Sequence, residues 1–135
     1  MRELKRSVIK EELVELTGDY RQAIILNQFL YWTSVKKKAD KMLAEEIRIC
    51  IENGEDVNFK PQYGWIYKNS EELSEEIMLG LSKSNIRRHI KTLVEKGYLE
   101  ERSNPRHKWD RTLQYRVNLV KLKRDLEALG YPLEG

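Results

Sequence analysis

The chain has 135 residues, of which 35% are charged, with a net charge of +3 and a mean hydropathy of −0.69. This length fits one domain with its own core. The single cysteine excludes an intramolecular disulfide. The most apolar run, residues 23–32, is half of the roughly 20 residues that a membrane span requires. We therefore expect one cytoplasmic domain over residues 1–135 that does not enter a membrane.

Two helices are predicted in the N-terminal part, residues 10–60. The segment "EELVELTG" predicts a short helix that ends at Gly18. Asp19 with Gln22 has the spacing of a capping box, and it precedes a helix expected over residues 20–52. That helix is apolar on nearly all sides as far as Trp32, so we expect its first half in the core. From Lys36 to Asn58 the sequence is strongly charged, which predicts an extension from the body.

A strand, a helix, a short turn and a second helix follow. "WIYK" (65–68) predicts a short strand with Ile66 on the face opposite Trp65. "SEELSEEIML" predicts a helix capped by Asn69, with four glutamates forming a solvated face at its start: Glu71, Glu72, Glu75 and Glu76. Gly80 suits the left-handed position that ends this helix, and Ser82 suits the N-cap of the next. This order is the signature of a helix-turn-helix.

The second helix of this pair combines an apolar stripe with a cationic surface. Its apolar residues stand at i, i+4, i+7 and i+8, starting from Ile86, and His89 is expected to be structural. Residues 82–111 hold nine cationic and four acidic side chains, a net +5, whereas the rest of the chain carries −2. Such concentrated positive charge is typical of a phosphate-facing surface. The alternative is an ordinary solvated face.

Two further strands and a last helix complete the pattern. "YLEERS" and "RTLQYRVN" predict a hairpin around the basic loop "NPRHKWD", in which Trp109 is expected to pack across the hairpin. After Asn118, a helix over residues 119–130 has Leu119, Leu122, Leu126 and Leu129 on one side. The predicted fold class is mainly α with a small β-sheet (α+β): a winged helix-turn-helix over 64–118 with a long N-terminal helix and a C-terminal helix.

Residues 64–118 resemble winged helix-turn-helix DNA-binding domains. "GWIYKNSEELSEE", "LSKSNIRRHIKTLVEKGYLE" and "LTGDYRQAIILNQFLYW" are similar to the N-terminal domains of replication initiators and replisome organisers of phages, plasmids and mobile elements. The resemblance implies replication proteins as partners. The chain departs from that pattern in the charged extension 36–58 and in lacking the C-terminal domain that contacts a helicase or its loader.

These features predict sequence-specific binding of double-stranded DNA, in replication initiation or in transcription regulation. The second predicted helix should enter the major groove, where its N-terminal residues reach base edges. The predicted contacts in that helix are Ser82, Lys83, Ser84, Asn85, Arg87, Arg88 and Lys91, and those in the wing are Arg106, His107, Lys108 and Arg111.

There are two alternatives to DNA binding. The first is a protein-interaction module that has lost DNA binding, with a homodimer formed through the long helix or the C-terminal helix. The second is an enzyme, which we exclude because the sequence has no P-loop, no HExxH pattern, no nucleophile with a plausible base and no metal-ligand cluster. No cofactor or metal is therefore expected.

Overall fold

The computed structural model describes residues 4–54, 64–103 and 113–131 of the protein. Within them lie five helices and three strands: α1 (Glu11–Thr17), α2 (Tyr20–Glu52), β1 (Ile66–Tyr67), α3 (Ser70–Ile77), α4 (Lys83–Glu95), β2 (Leu99–Ser103), β3 (Leu113–Val117) and α5 (Leu119–Ala128). This order confirms the predicted α+β winged-helix class. No helix among these ranges is long and apolar enough to cross a membrane.

The junction between α1 and α2 forms through local hydrogen bonds. Gly18 takes the left-handed conformation, with φ of 74°, that ends α1. Asp19 then caps α2 by accepting the Arg21 backbone N–H at 2.8 Å, and its carboxylate also pairs with the Arg21 guanidinium at 2.9 Å. The capping prediction is therefore correct for Asp19. The Gln22 side chain does not complete a box, since it contacts α4 instead.

The first half of α2 is the centre of the core. Its apolar side chains are buried on nearly every side: Ala23, Ile24, Ile25, Leu26 and Phe29. A helix that is apolar all round must be enclosed by other elements, and α1, α3, α4 and the sheet all pack against this half. The expectation that this half lies in the core is confirmed as far as Phe29, whereas Leu30 and Trp32 are half-buried against the core and Tyr31 is exposed.

The sheet is antiparallel, with strand order β1-β3-β2. Ile66 pairs with Tyr115, and Leu99 pairs with Val117. All four side chains are buried because alternate residues of each strand face the helices. The Tyr115 ring meets Phe29 of α2 edge-on, with 5.7 Å between ring centroids. The sheet is thereby fixed to the long helix.

A polar cluster joins α3 to α2 and to the segment after β1. The Glu76 carboxylate accepts hydrogen bonds from Gln28 at 2.7 Å and from the Trp32 indole N–H, and it pairs with Lys68 at 2.8 Å. The Lys68 ammonium also lies 4.0 Å from the centre of the Trp32 ring. Glu76 is therefore an internal anchor, which corrects the prediction that all four glutamates form a solvated face.

Helix α5 closes the domain over α1. Asn118 caps it by accepting the Lys121 backbone N–H at 3.1 Å. Leu122 and Leu126 are buried in the core, whereas Leu119 and Leu129 are exposed. Of the four leucines predicted on one side of this helix, only Leu122 and Leu126 are therefore in the core, and they are not available to a partner.

Candidate nucleic-acid interface

The turn between α3 and α4 sets the angle of the helix-turn-helix. Helix α3 ends at Ile77, and Met78 takes the left-handed conformation with φ of 57°. Gly80 is also left-handed, with φ of 67°, but it lies two residues after the C-cap Met78, so the prediction that Gly80 ends this helix is wrong. The Ser74 hydroxyl donates to the Leu81 carbonyl at 2.8 Å, which ties the turn back onto α3. The direction of α4 is therefore fixed locally.

Ser82 is the N-cap of α4, as predicted. Its hydroxyl accepts the Asn85 backbone N–H at 3.2 Å, and its carbonyl accepts that of Ile86 at 3.0 Å. The amides of Lys83 and Ser84 precede Ile86, the first residue whose backbone N–H donates within the helix, so they point out of the helix end. Together with the helix dipole, these amides form a surface suited to a phosphate oxygen.

Helix α4 separates an apolar side from a cationic side. Ile86, His89, Ile90 and Leu93 are buried. Ser84, Arg87, Arg88 and Lys91 are exposed. Because these four stand at i, i+3, i+4 and i+7, they share one arc of about 100° on the helix surface. We call these four residues the α4 cationic arc.

The other predicted contacts in this helix lie beside the arc. The Lys83 ammonium is 3.3 Å from the Glu71 carboxylate, with both side chains mostly exposed. Asn85 is half-buried, and it lies about 100° around the helix from Ser84. Of the predicted recognition residues, the structure thus brings Ser84, Arg87, Arg88 and Lys91 onto one face, with Lys83 and Asn85 on its flanks.

A polar network beneath α4 fixes the helix to α1 and α2. The Gln22 amide nitrogen lies 3.5 Å from His89 Nδ1. The Lys96 ammonium donates to the Gln22 side-chain oxygen at 3.1 Å and to the Thr17 carbonyl at 2.8 Å. Burial lowers the pKa of His89, so its imidazole is neutral near pH 7. His89 is therefore structural, as predicted. The Lys96 ammonium also stabilises the fold, since its hydrogen bonds join α4 to α1 and α2.

The outer face of the sheet holds a stacked aromatic group that the sequence did not indicate as part of the site. The Trp65 ring lies 4.2 Å from the Arg102 guanidinium carbon and 4.6 Å from that of Arg116. Arg102 also donates to Gln114 at 2.8 Å, and Arg116 pairs with Glu100 at 2.7 Å. These contacts join β2 to β3 where the wing begins. The strand alternation that put Trp65 opposite Ile66 was the available signal.

The predicted wing contacts Arg106, His107, Lys108 and Arg111, together with Trp109, lie outside the described residues. Their role stays a prediction. In the ranges that are described, no group of three or more His, Cys, Asp or Glu side chains is arranged to hold a metal ion.

A comparison with known protein families agrees with this geometry. Residues 72–103 match the model of the IclR helix-turn-helix domain. The match covers about a quarter of the chain and runs from α3 through α4 into β2. No curated protein and no solved structure matches the chain. The fold and the match together define a DNA-binding domain of the winged helix-turn-helix class, and they give no support to the resemblance to replication initiators.

Proposed function

We propose that this protein binds double-stranded DNA in a sequence-specific manner, with α4 as the recognition helix in the major groove. The observation that carries the proposal is the α4 cationic arc. Its three cations are exposed on one helix face, while the opposite face is buried against α2 and α3. A helix held in this way fits the major groove, where arginine forms bidentate contacts with guanine.

The predicted DNA contacts on α4 and at its N-cap have different roles in this proposal. Arg87 and Arg88 read guanine edges or bind phosphate, and Lys91 follows the backbone further along the groove. Asn85 reads adenine at the flank of the arc. Ser82 and the first backbone amides of α4 hold a phosphate, and Lys83 joins them when it leaves its exposed pair with Glu71.

The wing supplies the second contact. Arg106, His107, Lys108 and Arg111 lie in the sequence between β2 and β3, and we assign them to the DNA backbone or minor groove. The stack of Trp65 with Arg102 and Arg116 supports this assignment, because it joins the two strands from which the wing extends.

Transcription regulation is the process that the family match favours, since the matched model is that of the IclR helix-turn-helix domain. Replication initiation rests on sequence resemblance alone. In the alternative function, a protein-interaction module that has lost DNA binding, nothing would favour cationic side chains without ion pairs on this face. In the described part of the chain, no ion pair is recorded for Arg87, Arg88 or Lys91.

The test begins with selection of bound duplexes from a random DNA pool by the full chain, followed by fluorescence anisotropy on the selected site. The double variant Arg87→Ala/Arg88→Ala should weaken binding by at least about 30-fold, since each bidentate contact contributes about 1–3 kcal/mol. The matched control is Lys123→Ala/Arg124→Ala, which removes two exposed cations from α5. It should change the affinity by less than about threefold.

Two results would contradict the proposal. One is that no sequence is enriched by selection. The other is that both double variants weaken binding equally, because charge alone would then account for the affinity.

A further inference from the structure

The second half of α2 extends beyond the body of the protein. From Tyr31 to Gly54, no residue whose burial the structure describes is fully buried. Trp32 still contacts the body, and the 18 helical residues from Val35 to Glu52 span about 27 Å. We call this segment the α2 arm. An isolated helix of this length is only marginally stable in water unless one of its faces is packed.

One face of the α2 arm carries large apolar side chains at heptad spacing. Val35, Met42 and Ile49 are seven residues apart and are exposed by 37%, 65% and 46%. Ala39 lies between Val35 and Met42 on the same face, and Glu46 lies between Met42 and Ile49 at the edge of that face. A seven-residue apolar repeat is the pattern by which two helices pair along their length. Exposed apolar surface of this regularity indicates an interaction site.

The charges along the arm distinguish between the two orientations of such a pair. Lys37 and Lys38 lie in its first half, and Glu45 and Glu46 lie in its second half. In a parallel pair, the lysine-rich halves of the two copies would lie at the same level, and so would the glutamate-rich halves. In an antiparallel pair centred on Met42, Lys38 of each copy lies within one residue of the level of Glu45 of the other. Opposite charges then face each other twice.

The charged side chains are available for this pairing. Glu45 has one ion pair within its own helix, to Arg48 at 4.0 Å, and both side chains are about two-thirds exposed. A contact that long and that exposed contributes little. In an antiparallel pair, residues on the same flank of the two helices are neighbours, and Lys38 and Glu45 share a flank of the Met42 face.

We propose that the protein forms a homodimer in which the α2 arm packs antiparallel against the same segment of a second copy, with the two Met42 side chains at the twofold axis. The C-terminal helix is the less suitable interface, because Leu122 and Leu126 are already buried in the core.

If α4 binds DNA as proposed above, the geometry of the dimer determines the spacing of the two DNA half-sites. Gln22, which contacts α4 through His89, lies 20 residues before Met42 and so about 30 Å from the twofold axis. The two copies of α4 would then be about 60 Å apart, for which the nearest whole number of B-DNA turns, at about 34–36 Å each, is two. Selected sites should therefore contain inverted half-sites about two turns apart.

Sedimentation equilibrium of the full chain without DNA tests the dimer separately from DNA binding. The wild type should be a dimer at about 100 μM, and Met42→Glu should weaken the association by at least about tenfold, because two charges would be buried together. Ala44→Glu is the matched control, since it adds the same charge on the opposite side of the arm. A monomeric wild type, or equal effects of the two variants, would overturn the proposal.

Cysteine cross-linking in a Cys50→Ser background tests the orientation. The Met42→Cys variant should cross-link to itself. The Val35→Cys and Ile49→Cys variants should cross-link to each other when mixed, but neither should cross-link to itself. Self-cross-linking of all three variants would indicate a parallel pair and would overturn the antiparallel arrangement. A dimer with this pattern that fails to bind DNA would refute the proposed function and leave the dimer intact.

Discussion

Removal of the Glu76 carboxylate should destabilise the domain far more than removal of its neighbour Glu75. Glu76 accepts hydrogen bonds from Gln28 and Trp32 and pairs with Lys68. The side chains of Lys68 and Glu76 are only 17% and 16% exposed. Breaking a fully buried ion pair costs about 3–5 kcal/mol. Lys68 keeps contacts with Glu72 and the Trp32 ring, so we expect Glu76→Ala to cost about 2–3 kcal/mol.

Urea unfolding at pH 7, followed by tryptophan fluorescence and circular dichroism, measures this difference. Glu75→Ala removes an exposed carboxylate from the same helix and should stay within about 0.5 kcal/mol of the wild type. Glu76→Gln keeps a hydrogen-bond acceptor and should fall between the two. If Glu76→Ala were as stable as Glu75→Ala, the cluster would not be the anchor described above.

The pH dependence of stability gives a second measurement of the same group. Burial alone would raise the pKa of Glu76, but the hydrogen bonds from Lys68, Trp32 and Gln28 outweigh it, so the pKa lies below the ordinary value of 4.5. A depressed carboxyl pKa stabilises the folded state above the unfolded pKa, and this contribution is lost as the pH falls through the folded pKa. Below about pH 4.5 the difference in stability between the wild type and Glu76→Gln should therefore shrink.

Two further variants test local features of the helix ends. The hydrogen bonds with Arg21 lower the pKa of Asp19 to about 2. Wild-type stability should thus decline between about pH 4 and pH 2, by about 1 kcal/mol because the pair is partly exposed. Asp19→Asn keeps the capping oxygen and should lose this part of the decline in acid unfolding curves; an unchanged curve would contradict the assignment. Met78→Gly should stabilise the domain by about 0.5 kcal/mol in urea unfolding, because φ of 57° strains a residue with a Cβ, and destabilisation would refute this reading.

The sequence was sufficient for α4 of the helix-turn-helix because local rules determine that helix. The apolar period of α4 and the cap at Ser82 depend on residues within one or two turns, and the structure places both as predicted. The charged sequence of the second half of α2 likewise predicts an extension from the body, without reference to any tertiary contact. Periodicity therefore predicted which face of α4 carries Arg87, Arg88 and Lys91.

The contacts that the sequence did not predict all depend on residues far apart in the chain. The four glutamates of α3 look alike in the sequence, and only the position of Gln28 and Trp32, more than 40 residues earlier, separates Glu76 from the others. Gln22 has the spacing of a capping residue, but Lys96 attracts its side chain across 74 residues. Met78 takes a conformation that glycine usually adopts, because the buried residues on both sides fix the turn.

The most direct test of the central claim is an NMR titration of the ¹⁵N-labelled full chain with its selected duplex. We expect the largest amide shift changes on residues 82–91, where the helix end and the α4 cationic arc meet the groove. Changes confined to the α2 arm or to α5, with residues 82–91 unaffected at saturation, would contradict a recognition role for α4.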